Sequence, residues 1–222
     1  MPYPTITLPT YADLGPDVIA WAAARELVNG DGSPLRANPL SQHGKTMEEI
    51  GEAALELKKL GRTKMVIARL RVIGQGNQDT DILMRRKMRL AVESGDVLVT
   101  LGLQSGMHGS TIEQCKAESG RLTTGYGSDW YLGKVGHPPK TWAYIEDWAA
   151  LLGDALANLD SPHRSDIAGL IGAVAICVED AARIELAMLG PECLALALVK
   201  IEGRQGEVVD GVFVKDEECD AA

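Results

Sequence analysis

Aromatic residues are scarce, at 5% of 222 positions with a single Phe. A core built on stacked rings is therefore excluded, and Ala, Leu, Ile, Val and Met must fill the interior, a set that favours helices. Long apolar runs are missing as well; none approaches the ~18 residues that a membrane span requires. Cys115, Cys177, Cys193 and Cys219 show no CxxC spacing and the chain shows no signal peptide, so reduced thiols in a cytoplasmic protein are expected. His43, His108, His137 and His163 form no i, i+4 pair, which argues against zinc, and His43 reads as an exposed loop residue. There is no GxxxxGK[ST] loop, and Gly74-Gln75-Gly76 lacks the third glycine of a dinucleotide fingerprint, which removes Walker-type and Rossmann binding.

What is present is an acidic chain of ordinary globular composition. The 22 Lys and Arg face 31 Asp and Glu, giving a net charge of −9 without any long basic run, so a nucleic-acid polymer is a poor partner. A small anion would need a local positive centre, such as a metal ion. With 45% hydrophobic residues, the length suits one large or two small domains without a membrane segment. The composition leaves a homo-oligomer open.

Periodicity predicts an all-α chain. Helices are expected over Asp17–Val28, with Pro16 in the first turn, over Gln42–Leu60 with a stop at Gly61, and over Asp81–Met107. Asn29–Ser41 and Gly74–Thr80 read as loop and turn, and Thr111 starts a further helix with Glu113 in its first turn. Ser119–Pro139, rich in glycine, reads as a connector, dividing the chain into 1–136 and 137–222. Beyond it come helices Thr141–Leu159, Asp166–Leu189 and Pro191–Ile201, then an extended strap within Gly203–Asp216. Helix, loop, longer helix and short helix recur on both sides of the connector, a pattern of two pseudo-symmetric helical halves.

The chemistry concentrates in carboxylates. Glu48 and Glu52 lie about 40° apart on a helix and Glu49 and Glu52 about 60°, so the three share one face. Glu93 and Asp96 repeat the i, i+3 relation on the next long helix, and both sets sit in apolar sequence. Like charges so close repel. One answer is a divalent cation, Mg²⁺ or Mn²⁺, bound by hard oxygens; the other is two solvated acidic stripes. Lys45 is either an ion-pair partner of Glu49 or a phosphate ligand, and Trp21 either packs in the core or stacks a base. Cys177, in an Ala/Ile/Val helix, is expected to be buried.

The pairing of Glu48-Glu49-Ile50-Gly51-Glu52 with Glu93-Ser94-Gly95-Asp96 resembles the EExxE and ExxD motifs of the MazG-like all-α nucleotide pyrophosphohydrolase superfamily. Gln42 and Lys45 ahead of the first motif, the run to Cys115 after the second and the tail GRQGEVVDGVFVKD are similar to the same family. Two departures stand out: 40 residues separate Glu52 from Glu93, longer than usual, and the familiar ending comes some 110 residues after Asp96. The resemblance then implies a MazG-like bundle in tandem, with a degenerate second half in which Ala150 follows Glu146 and Asp147 where a third acid would stand.

For function, the resemblance implies metal-dependent hydrolysis of a (deoxy)nucleoside triphosphate between the α and β phosphates. Glu49, Glu52, Glu93 and Asp96 would hold Mg²⁺ or Mn²⁺, and Glu48 would act as a base or hold a second ion. Lys45, Arg204 and Lys215 would meet the phosphates, with Gln42 and Trp21 near the base. The alternatives are a non-catalytic nucleotide-binding or assembly bundle, and hydrolysis of another phosphoanhydride.

Overall fold

The computed structural model describes residues 7–72, 80–124, 142–158, 160–161 and 164–216. Most of the expected Gly74–Thr80 turn and the 136/137 boundary lie outside them. Among the described residues there are seven α-helices and one two-stranded hairpin, so the all-α expectation holds. No helix there is long and apolar enough to cross a membrane.

Helix α1 (Tyr11–Ala23) begins six residues earlier than periodicity predicts, because Thr10 and Asp13 form a capping box that outweighs Pro16 as a start signal. The Asp13 carboxylate accepts from the Thr10 N–H at 2.9 Å, and Pro16 lies inside the helix. The chain leaves the helix at Ala23 instead of Val28, through a turn in which Glu26 takes φ 57°. Helix α2 (Pro39–Val72) is capped by the Asn38 side chain, which accepts from Leu40 N–H at 2.8 Å. It runs through Gly61 instead of stopping there. A mid-helix glycine costs about 1 kcal/mol, and the apolar stripe continues through buried Leu60 and Ile67.

Helix α3 (Thr80–Met107) matches its expected span and packs antiparallel on α2, with Arg86 reaching Glu56 at the middle of that helix. Helix α4 (Ile112–Thr124) starts where Thr111 and Gln114 bond reciprocally, Gln114 accepting from the Thr111 N–H at 2.9 Å. It reaches Thr124, so the first residues assigned to the connector are helical. A short 3₁₀ turn (Trp142–Tyr144) leads into α5 (Ile145–Ala157).

Helix α6 (Ile167–Ala181) is buried on nearly every side, as its GLIGAVAICV sequence requires. The expected single helix to Leu189 instead breaks into a π turn (Ala182–Leu186) that ends on left-handed Ala187, φ 58°. This turn redirects the chain into α7 (Gly190–Glu202), with Pro191 in its first turn. The strap is an antiparallel hairpin of β1 (Gly206–Val209) and β2 (Val212–Lys215), pairing Val209 with Val212. Its two-residue turn, Asp210-Gly211, has φ of 50° and 81°, the double positive φ that a tight hairpin demands.

One buried cluster unites residues from both sides of the connector, including Leu98, Leu101, Trp148, Leu170 and Leu194. Two glycines allow the closest helix contacts. A Cβ at Gly172 of α6 would overlap the Cys115 carbonyl of α4, and one at Gly95 of α3 would overlap the Cys193 carbonyl of α7. Cys177 is buried as expected.

Candidate metal centre

Helices α2 and α3 present their acids to each other because the antiparallel pairing sets Glu49 opposite the Glu93/Asp96 turn. One oxygen from each of Glu49, Glu93 and Asp96 lies within 4.8 Å of the others. Glu49 is 6% and Asp96 4% exposed, so neither belongs to a solvated stripe. Glu48 and Glu52 are exposed; both line the adjoining cleft, and Glu52 stands outside the tight group. The shared acidic face is thus graded, with one acid inward and two at the rim.

Cations surround the group. Lys45 Nζ lies 2.9 Å from both Glu48 and Glu49, so it is an ion-pair partner of the acids. Lys200 Nζ, from α7, is 2.7 Å from Asp96 Oδ2 and 3.6 Å from Glu93 Oε1. Arg204 Nη2 stands 3.9 Å from the same Asp96 oxygen. Even so, Glu93 Oε2 and Asp96 Oδ1 are buried with no hydrogen-bond partner among the described residues. Burial raises the Glu49 carboxyl above its ordinary range, the Lys45 contact opposing it. Burial raises Glu93 too, opposed by Lys200 and reinforced by the neighbouring acids.

Glu49 and Asp96, with Glu48 and Glu52, border a cleft of about 350 Å³ between α1, α2, α3, α7 and the hairpin. Every candidate substrate contact lines it: Trp21, Gln42, Lys45, Arg204 and Lys215. Trp21 is half-buried and donates from Nε1 to the Ile201 carbonyl at 3.1 Å, with Phe213 edge-on to its ring at 5.5 Å. The Arg25 guanidinium lies 4.6 Å from the Trp21 ring centroid. Gln42 is buried and spends its amide donor on the Gly211 carbonyl at 2.8 Å, anchoring the hairpin turn beside the cleft. His43, expected in an exposed loop, is instead buried within α2, its imidazole packed against Gly153 of α5.

Sequence reasoning missed three members of this region. Lys200 carried a signal, a basic residue ending an apolar helix with Arg204 four positions on. Phe213, the chain's only Phe, gave none beyond its rarity. Buried Glu56 extends the inward line of Glu49 by two turns and is neutralised by Lys59 and Arg86. No family model, curated protein or solved structure matches this chain.

Proposed function

We propose that the protein is a metal-dependent hydrolase of a (deoxy)nucleoside triphosphate, cleaving between the α and β phosphates to release nucleoside monophosphate and pyrophosphate. The observation that carries this reading is the group of buried Glu49 and Asp96 with half-buried Glu93, at the edge of a cleft that also holds cations and an aromatic wall. The donors are all hard oxygens, the chemistry that Mg²⁺ or Mn²⁺ selects, and the two unpartnered buried oxygens of Glu93 and Asp96 are the kind that such an ion satisfies. Glu52, at the rim, completes the EExxE and ExxD resemblance.

A bound Mg²⁺ would neutralise phosphate charge and activate water. The chain's own residues do the rest. Lys45, Arg204 and Lys215 supply positive charge that a molecule of net −9 otherwise withholds from a triphosphate. Trp21 and Phe213 offer apolar ring surface for a base, and β2 of the hairpin walls that side of the cleft. Glu48, exposed beside Lys45, would take a proton at the rim. The second half of the chain builds the opposite wall through α7 and β2.

A panel of nucleoside triphosphates with Mg²⁺, read separately for pyrophosphate and orthophosphate, tests this. Pyrophosphate as the first product, abolished by excess EDTA, is the expected result. Tight nucleotide binding without turnover would favour the non-catalytic bundle, and orthophosphate as first product would contradict cleavage at the α,β bond.

A further inference from the structure

The acid group has its own counter-ions, and they are not equivalent. Lys45 divides its charge between Glu49 and exposed Glu48, so it can release the first and remain paired with the second. Lys200 has no such reserve, since its ion pairs among the described residues are with Asp96 and Glu93 alone, the same two residues whose other oxygens are buried and unpartnered. Lys200 is itself exposed while Asp96 is buried, and an ammonium 2.7 Å from Asp96 Oδ2 and a divalent cation coordinated to that carboxylate repel each other. Lys200 sits two residues before the end of α7, and its four-carbon stem lets the head withdraw into the cleft while the helix stays docked.

We propose that Lys200 is a built-in counter-cation that a divalent ion must displace from Asp96 and Glu93, so that this lysine sets how tightly the nucleotide-free protein holds metal. The inference rests on the metal centre described above and adds a device to it. The free protein keeps its acids neutralised internally and loads metal poorly. Once displaced, the ammonium faces the cleft beside Arg204, where a polyphosphate would be met by one more cation. Metal and anionic substrate thereby favour each other's binding.

The test is Mn²⁺ titration without nucleotide, following free Mn²⁺ by electron paramagnetic resonance, on the wild type, Lys200→Met, Lys200→Gln and Lys64→Met. Lys64 pairs with Glu185 and lines no part of the cleft, so its variant removes the same unit of charge elsewhere. Both Lys200 variants should bind Mn²⁺ about tenfold more tightly than the wild type, a change of about 1.4 kcal/mol, while Lys64→Met matches the wild type. Two substitutions keep the test decisive if one disturbs the fold, which far-ultraviolet circular dichroism would reveal. Equal or weaker binding by the Lys200 variants overturns the proposal, as does equal tightening by Lys64→Met. Absence of Mn²⁺ binding in every protein would overturn the metal centre itself, whereas failure of α,β cleavage alone leaves these titrations unaffected.

Discussion

Glu49 and Glu93 are acids that the fold makes reluctant to ionise, and this has a sign that can be checked. A carboxyl raised above its ordinary 4.5 stabilises the metal-free fold below that pH, and the contribution is lost as pH climbs through the raised value. Metal needs the ionised form, so its benefit runs the opposite way. The rise in melting temperature caused by Mg²⁺ should therefore be near zero at pH 4.5 and grow as pH increases, which paired thermal scans with and without Mg²⁺ would measure. Asp96→Asn and Glu49→Gln should each lower turnover by about 10²-fold or more, on the scale of losing a tuned metal partner, with the far-ultraviolet spectrum preserved. At this scale the acids were legible, because i, i+3 spacing in apolar sequence marks carboxylates that water cannot fully reach. Their division into buried Glu49 and exposed Glu48 and Glu52 was not, since it depends on how α2 is rotated against α3.

Among the elements, the hairpin is the most exposed to a single change. Gly211 holds φ 81°, and a Cβ there would meet the Arg36 carbonyl oxygen at 2.9 Å. Gly211→Ala should cost about 1–2 kcal/mol as a lower melting temperature, and it should raise KM by loosening the turn that Gln42 anchors. Phe213→Ala removes the edge contact to Trp21, worth about 0.5–1.5 kcal/mol, and should raise KM several-fold with kcat less affected. The strap was visible as Val208, Val212, Phe213 and Val214 in an otherwise polar tail, a local pattern with a local cause, whereas its folding back as a hairpin was not foreseen. The length of α2 was hidden because Gly61 reads as a terminus until α3 is there to hold both flanks. The π turn after Ala181 was hidden for the same kind of reason, as nothing in ARIEL departs from helical preference.

At the scale of the molecule, the cleft takes Lys200, Arg204 and Phe213 from beyond the connector and all its acids from before it. A fragment of residues 1–136 should therefore be insoluble or inactive, as assays of expression and pyrophosphate release would show. Charge is also unevenly spread. The α2 C-terminal and α3 N-terminal stretches, residues 58–72 and 80–89, carry Lys58, Lys59, Arg62, Lys64, Arg69, Arg71, Arg85, Arg86, Lys87 and Arg89 and one acid, Asp81, with Lys59 and Arg86 paired to Glu56 and Lys64 to Glu185. No run in the sequence announces this, since two short basic stretches become one surface only when the helices fold together. Despite a pI near 5.0, the protein should be retained on heparin at low ionic strength and be released by moderate salt. Passage without retention would show that the acidic remainder dominates at long range.

The glycine between the two acids of the second motif deserves a different description from its neighbours. Gly95 offers no side-chain donor, yet its bare backbone is what lets the Cys193 carbonyl of α7 rest against α3, with Lys200 two turns further along that helix and Arg204 just past its end. A survey replacing every residue in turn should score position 95 beside Glu93 and Asp96 for lost function, although it touches no ligand. Part of the motif is thus a spacing rule between helices, written in the same four letters as the chemistry.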